Sequence, residues 1–385
     1  MTQLRDGRYR TAIIGVGRQG TYFARAAALN PAMEIVAGCN RGKETLDLFS
    51  ERFKVPGYLD YRELLRKEKV DIAVLVLPVK PNPEIVIACA RAGVPGIVTE
   101  KPIVSTLTDL DSMVEACAMS GSKYQSGNVD RNYAEQWKAR ELIAAGQIGE
   151  VRSVHSYANI VQGGCNALAW MKMFALGQFI RGKSGADADA EWVVGHVNGD
   201  PFSDHDEGLE GIGGYIRFTN GIEGHVYNKP SAKHGVEVIG TEGVFASDGR
   251  KLRFWKKSKD AGPNVFSGLV EVPGLVPDIP DEFDNKRDEE GWLIPDPRIK
   301  ATLQSIVDSL DKGIEPRCSG VDQQKAFEIS VALRESHRRN HAPVKLPLPP
   351  EVRSQPMMPV PYRWNSKRDL YGDQWYRDEM KKYKK

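Results

Sequence analysis

Gly15-Val16-Gly17-Arg18-Gln19-Gly20 is a G-x-G-x-x-G run. It lies between an apolar stretch, Arg10 to Val16, and an alanine-rich, helix-forming stretch, Thr21 to Leu29. Alone the pattern says little. Between a strand and a helix it builds a phosphate cradle. Gly15 makes the tight turn, Gly17 lets the backbone approach a pyrophosphate, and Gly20 lets helix and strand pack closely. Arg18 and Gln19 open the helix, whose free N–H groups and positive dipole end attract phosphate. The segment reads as a dinucleotide site. The end of the next expected strand, Met33 to Gly38, selects the dinucleotide. An acidic residue there binds the ribose 2′-hydroxyl of NAD and repels the 2′-phosphate of NADP. This chain has Cys39-Asn40-Arg41-Gly42-Lys43 instead. Asn40 can bond a ribose hydroxyl, and Arg41 and Lys43 can hold a phosphate. The cofactor is NAD or NADP, undecided between them.

The second segment is Thr99-Glu100-Lys101-Pro102, after the expected strand Gly96 to Thr99. A lysine at the carboxyl edge of a doubly wound sheet faces the ligand crevice. There the lysine can hydrogen-bond a substrate hydroxyl and share its proton as hydride leaves the carbon. Glu100 can orient that ammonium, and Pro102 fixes the backbone after it. Taken alone, the residues leave a surface lysine in a turn as an equal reading.

The elements that position these groups alternate strand with helix up to about residue 128. Asp71 to Leu77 is a further buried strand and Lys123 to Gly127 a last short one. Thr45 to Phe53, Tyr61 to Glu68, Pro83 to Ala92 and Thr108 to Met119 are helices. Such alternation implies a parallel sheet covered on both faces. Beyond the helix Ala134 to Ala145 the pattern changes to hairpins, with Asn220-Gly221 and Thr241-Glu242-Gly243 as turns. The fold class is therefore α/β: a doubly wound Rossmann domain at residues 1–128, then an α/β domain with a mostly antiparallel sheet at 129–349. Residues 258–298 read as loop, Arg298 to Lys312 and Gln323 to Arg338 as helices, and 350–385 as an extended tail. Its aromatic residues suit burial against a neighbouring subunit.

Of 385 residues, 41% are hydrophobic, enough for a real core, and 53 basic against 51 acidic side chains leave a net charge of +2. Nothing in that balance calls for nucleic acid or an anionic membrane. No apolar run approaches the ~20 residues of a membrane span, and the polar N-terminus is no signal peptide. Five widely spaced cysteines read as reduced thiols of a cytoplasmic protein. No Cys/His metal spacing is evident, so no metal is expected.

The motifs AIIGVGRQG, VDIAVLVLP and VTEKP together resemble the glucose–fructose oxidoreductase and inositol dehydrogenase family, Gfo/Idh/MocA. The resemblance runs nearly end to end. Glu141 to Val151 is similar to the family's "I..G.IGEV" segment, and Phe218 to Gly221 and Glu237 to Gly243 to its "F.NG" and "E..GTEG" turns. Gly313 to Gly320 is similar to its "G..P..sG" loop. The resemblance implies a large open sheet in the second domain that forms a homodimer or homotetramer contact. It implies that Lys101 is the catalytic EKP lysine and that the substrate is a small carbohydrate-like molecule. It further places Leu77, Pro78, Asn82, Glu100 and Asn128 at the cofactor.

The chain departs from the family at its acid/base. Many members carry Asp-x-x-x-His soon after Gly-Gly. Here Gly163-Gly164 leads into Cys165-Asn166-Ala167-Leu168-Ala169-Trp170-Met171-Lys172, without Asp or His. The histidine of the family's TPnxxH loop is also missing, with Asn82 near its place. Replacement candidates are His155 and Tyr157, which share one face of a strand. His205, among aspartates that would raise its pKa, is another. Candidate substrate contacts are Arg131, Asn166, Trp170, Lys172 and His234. Arg131 and Lys172 suit an anionic group, and Trp170 suits a sugar face.

The leading reading is an NAD(P)-dependent oxidoreductase acting at a carbinol carbon of a sugar, sugar acid or cyclitol. The alternative is a redox-neutral, NAD-dependent glycosidase working by oxidation, elimination, hydration and reduction on an acidic or sulfonated glycoside. The intact Glu100-Lys101-Pro102 argues against a non-catalytic binding protein.

Overall fold

Strands buried along their whole length must lie inside a sheet covered on both faces. Ile72–Leu75 (β4) and Gly96–Thr99 (β5) are buried at every position. The computed structural model describes residues 7–101, 103–127, 129–157, 167–175, 188–197, 212–227, 235–258, 268–279 and 294–356. In it, β4 and β5 join Tyr9–Ile14 (β1), Met33–Cys39 (β2), Gly57–Tyr58 (β3) and Lys123–Ser126 (β6). The order is β3-β2-β1-β4-β5-β6, and every pair is parallel. Helices Arg18–Ala28 (α1), Lys43–Phe53 (α2), Tyr61–Lys67 (α3), Asn82–Arg91 (α4) and Leu107–Ser120 (α5) are the crossovers. Strand order reverses between β1 and β4, and doubly wound sheets bind ligands at the carboxyl ends beside such a reversal.

One helix of this unit comes from far along the chain. Pro297–Lys312 starts with Asp296 accepting from the Arg298 N–H, has proline in its first turn, and ends at Gly313 in a left-handed conformation. These are strong start and stop signals. Its Ile299, Leu303, Ile306 and Val307 share a core with Phe23, Ala27, Ile72 and Val98. Tyr9 OH donates to Asp311 at 2.6 Å, and Ser305 Oγ to Gln125 Oε1 at 2.9 Å. Sequence order assigned this helix to the second domain, but its apolar stripe packs in the first.

The second unit holds Ala134–Ala144 (α6), Val151–Ser156 (β7), Ala167–Phe174 (α7), Ala190–Val197 (β8), Ile212–Phe218 (β9) and Glu223–Tyr227 (β10). Val236–Gly240 (β11), Gly243–Ser247 (β12), Leu252–Lys257 (β13) and Leu269–Glu271 (β14) follow. With Pro297–Lys312 counted as α8, Gly320–Arg338 is α9, Val344–Lys345 is β15 and Pro350–Arg353 is α10. The nine strands run β14-β13-β12-β11-β7-β10-β9-β8-β15. All neighbours are antiparallel except β7 and β10. The Asn220-Gly221 turn forms as its residues require: Gly221 has φ +86°, and Asn220 Oδ1 accepts the Ile222 N–H at 3.2 Å.

The two sheet faces differ. Val154, Gly224, Ile216 and Val238 are on the buried face. Helix α7 packs there, so close that a Cβ on Gly224 would sit 2.8 Å from Met171 Sδ. The opposite face carries one register row of Tyr215, His225, His155 and Glu237. These residues are half-buried. The His155 and His225 rings stack at 4.6 Å, and Tyr215 meets His225 edge-on at 5.4 Å.

Several elements differ from expectation. Helix α7 is buried at all eight positions, so it lacks the amphipathic period by which a helix is read. Strand β14 lies within the expected loop 258–298. The segment expected to begin an extended tail at 350 forms the turn α10 instead, with Val352 buried. Leu348 N–H donates to Glu328 Oε1 at 2.8 Å just before it. The tail's aromatic residues lie outside the described residues. Among the described residues, no helix is long and apolar enough to cross a membrane. Cys39, Cys89, Cys117 and Cys318 are buried thiols outside any disulfide. Burial, with Asp60 adding, pushes the Cys39 thiol up to about 12, so it is no nucleophile at neutral pH.

Candidate functional site

At the carboxyl end of β1 the three glycines divide their work as the motif requires. Gly15 has φ +92°, and a Cβ there would lie 2.2 Å from the Val76 carbonyl oxygen and 3.0 Å from Leu77 Cδ2. A Cβ on Gly20 would lie 1.9 Å from the Gly15 carbonyl oxygen. These two serve the turn and the helix packing. A Cβ on Gly17 would meet no protein atom within 4 Å. Packing does not need that glycine; a ligand approaching the backbone does. Gly17 is the N-cap of α1, no side chain caps the helix, and its first turn has no acidic residue. The donors and the dipole are thus presented to an anion. These residues fit a dinucleotide pyrophosphate.

Beside this turn, Asn40 follows β2. Its Nδ2 donates to the Gly42 carbonyl at 3.1 Å, which leaves Oδ1 as an acceptor for a ribose hydroxyl. Lys43 is held by Asp47 at 2.6 Å, so one of the two cations suited to a 2′-phosphate is already partnered. Arg41 is exposed. Leu77 and Pro78, both half-buried, follow β4. Asn82, fully buried in the first turn of α4, donates through Nδ2 to the Ile103 carbonyl at 3.0 Å. This hydrogen bond anchors the segment after Lys101.

Lys101 is half-buried, two residues past the end of β5, and Glu100 beside it is buried. The Glu100 N–H donates to the Leu75 carbonyl at 2.9 Å, which extends the sheet pairing one residue beyond β5. Gly127 presses on the same segment. A Cβ there would lie 2.4 Å from the Thr99 carbonyl oxygen and 2.8 Å from Glu100 Oε2. Gly127→Ala is expected to shift Glu100 and Lys101 and so lower kcat while the dinucleotide Kd holds. Fluorescence titration of the cofactor beside steady-state turnover checks this.

In the second unit several expected substrate contacts are structural. Arg131 is 2% exposed. Its Nη2 pairs with Asp322 at 3.1 Å and its Nη1 donates to the Ala169 carbonyl at 3.0 Å, fixing α7. Arg131→Met should cost about 1.5–3 kcal/mol, the usual worth of a charged hydrogen bond, read as a lower denaturation midpoint. Lys172 is 1% exposed; its Nζ donates to the Ala188 carbonyl at 2.9 Å and lies 3.9 Å from Asp189. Trp170 is likewise buried, so its ring is packed in the core and no face is open to a sugar. His155 and Tyr157 lie on the sheet face away from α7. His155 Nε2 is 3.0 Å from Ser153 Oγ, and Tyr157 OH is 3.4 Å from Glu237 Oε2. The structure therefore does not bring His155 and Tyr157 together with Trp170 and Lys172. Asn128, Asn166, His205 and His234 lie outside the described residues.

Residues 9–128 match the family model described as oxidoreductase family, NAD-binding Rossmann fold. A myo-inositol 2-dehydrogenase of Thermotoga maritima is 25% identical over 350 residues, covering 85% of this chain and 96% of that one. Residues 9–128 thus carry the NAD-binding Rossmann unit of the Gfo/Idh/MocA oxidoreductases. That match and the dehydrogenase relative make the chain an oxidoreductase-type enzyme with a nicotinamide-dinucleotide site on its Rossmann unit. A 2,7-anhydro-N-acetylneuraminate hydratase of Escherichia coli is 27% identical over 161 residues, 42% of each chain. Among solved structures, an oxidoreductase domain protein from Kribbella flavida has a TM-score of 0.68 at 17% identity, over 89% of this chain and 100% of that one. An oxidoreductase from Agrobacterium radiobacter, in complex with NAD+, L-tartaric acid and magnesium, has a TM-score of 0.65 at 17% identity, over 88% and 98%. At those identities the likeness is one of fold.

Proposed function

We propose that the protein transfers hydride between a nicotinamide dinucleotide and a carbinol carbon of a sugar, sugar acid or cyclitol. The observation that carries this reading is Lys101 at the carboxyl edge of β5, in a sheet whose β1 turn is shaped for a dinucleotide. The near full-length similarity to a myo-inositol 2-dehydrogenase supports the substrate class. The dinucleotide, when bound, supplies the hydride acceptor or donor at nicotinamide C4. The chain's own residues do the rest. Gly15, Gly17 and Gly20 shape the turn that receives the pyrophosphate, with Arg18 and Gln19 in the first turn of α1. Asn40 Oδ1 accepts from a ribose hydroxyl, and Arg41 offers a cation to a 2′-phosphate. Lys101 Nζ hydrogen-bonds the substrate hydroxyl and takes up its proton as the carbonyl forms. Glu100, Gly127 and Asn82 hold that segment in place.

A second reading rests on a specific departure. Helix α7 has neither Asp nor His, and relatives over less than half of the chain include a 2,7-anhydro-N-acetylneuraminate hydratase. A cycle that oxidises, eliminates, hydrates and reduces returns the nicotinamide to its starting state. Incubation with NAD or NADP and a panel of free sugars, inositols and aryl glycosides separates the two. Net nicotinamide reduction with a free sugar or cyclitol supports the dehydrogenase and names the cofactor. Aglycone release without net reduction supports the redox-neutral reading.

The row of Tyr215, His225, His155 and Glu237 supports self-association through the second sheet. On this reading His155→Ala and Tyr157→Phe leave kcat unchanged, and His155→Ala moves the sedimentation profile towards the monomer. A loss of turnover in both variants without a change in assembly would return these residues to catalysis.

A further inference from the structure

Three imidazoles that serve neither the dinucleotide turn nor the lysine segment meet in the second unit. The possible ligand nitrogens of His196, His337 and His341 all lie within 4.8 Å of one another. Ring centroids are 5.5 Å apart for His196 and His337, 5.6 Å for His196 and His341, and 5.0 Å for His337 and His341. His196 comes from β8, His337 from the last turn of α9, and His341 from the residues just past it. In the sequence only the His337-x-x-x-His341 spacing is visible, and two histidines make no site. The third ligand arrives through the fold.

The surrounding backbone holds the cluster. Asn340 and His341 have φ +57° and +63°, and two successive non-glycine residues in the left-handed region are uncommon. The His341 N–H donates to the Ser336 carbonyl at 2.8 Å, closing the helix end. His341 Nδ1 is 2.9 Å from the Gly195 carbonyl oxygen. A carbonyl only accepts, so Nδ1 carries the proton and Nε2 keeps its lone pair in the neutral ring. A ring N–H given to a backbone carbonyl is the usual backing of a metal-bound histidine. Gly195 N–H donates to Ser336 Oγ at 2.9 Å, tying β8 to α9 beside the cluster. A Cβ on Gly195 would lie 2.0 Å from the Leu333 carbonyl oxygen, so helix and strand are in direct backbone contact.

We propose that His196, His337 and His341 form a binding site for a divalent transition metal of the zinc class, with water in the fourth position. The donor set is all imidazole. That favours zinc and its neighbours over magnesium or calcium, which require oxygen ligands. Tetrahedral zinc with Zn–N bonds of about 2.0–2.1 Å places its nitrogens about 3.4 Å apart. The rings must close by rotation, and exposed His196 has room to move. His337 Nδ1 accepts the Val197 N–H at 3.3 Å. Binding through its Nε2 shifts the proton to Nδ1 and exchanges that long hydrogen bond for a metal–nitrogen bond. The bound ion clamps β8 to the end of α9, next to the place where β15 pairs with β8.

The test uses the full-length protein, stripped with a chelator and titrated with Zn2+ by calorimetry and with Co2+ by visible absorption. The variants are His196→Ala and His341→Asn, the latter because asparagine tolerates the left-handed backbone. Wild type is expected to bind one more equivalent of Zn2+ than either variant, or to bind it about a hundredfold more tightly. It should show tetrahedral Co2+ bands that both variants lack, and only wild type should gain thermal stability with Zn2+. Dinucleotide affinity measured in each variant confirms that the fold is retained. Equal zinc stoichiometry and affinity in wild type and variants overturns the proposal, as does the absence of zinc binding in wild type.

Discussion

Lys101→Met is expected to lower kcat by about 10²–10⁴-fold, the range of general acid–base catalysis by one positioned group. Methionine keeps the length and apolar stem of lysine and removes the amine nitrogen that takes the hydroxyl proton. Dinucleotide affinity should be unchanged, because the pyrophosphate turn is built from β1 and α1. Stability should be unchanged too, since a half-buried side chain in the turn after β5 contributes little to the core. The profile that supports the assignment is therefore selective: turnover collapses, while the cofactor Kd and the denaturation midpoint hold. Turnover at the wild-type rate would remove Lys101 from the chemistry, and a parallel loss of cofactor binding would make its role structural.

The second large effect separates the glycines of the turn. Gly17→Ala places a Cβ where no protein atom lies within 4 Å, so the thermal midpoint should not move. The dinucleotide Kd should rise about 10- to 100-fold, because a phosphate held off the backbone loses a charged hydrogen bond worth about 1.5–3 kcal/mol. Gly15→Ala behaves differently. Its Cβ meets the Val76 carbonyl oxygen at 2.2 Å, at φ +92°, so both stability and affinity should fall. Strain of this kind costs about 1–3 kcal/mol before the contact is counted. Thermal denaturation with and without dinucleotide reads both quantities. If Gly17→Ala binds the dinucleotide as wild type does, the ligand does not lie on this turn.

These effects mark what the residues disclose and where they fall silent. The Rossmann unit is legible because its strands are short apolar runs and its helices are punctuated by glycine. The roles of Gly15, Gly17 and Gly20 follow from the same local logic. The return of Pro297–Lys312 to that unit is not legible, because its apolar stripe fits either sheet until the packing of Ile299 and Ile306 is seen. Asn82 shows a similar limit: its Nδ2 bond to the Ile103 carbonyl is a contact that no local pattern announces. Arg131, Lys172 and Trp170 are residue types that bind carbohydrates and anions when exposed, and burial gives them other work. His155 and Tyr157 can be placed on a common face from alternation alone. Which face that is depends on the register with His225 and Glu237, which no local pattern carries. The three-histidine cluster depends on the same kind of distant pairing.

The chemistry proposed for the protein is hydride transfer between nicotinamide and a carbinol carbon, assisted by Lys101. Its most direct test uses a substrate from the sugar and cyclitol panel, deuterated at the reacting carbon, with mass analysis of the nicotinamide after a single turnover. Deuterium on nicotinamide C4 in wild type, with its appearance slowed in Lys101→Met, is the predicted result. Product formation with no deuterium reaching the nicotinamide would rule out hydride transfer.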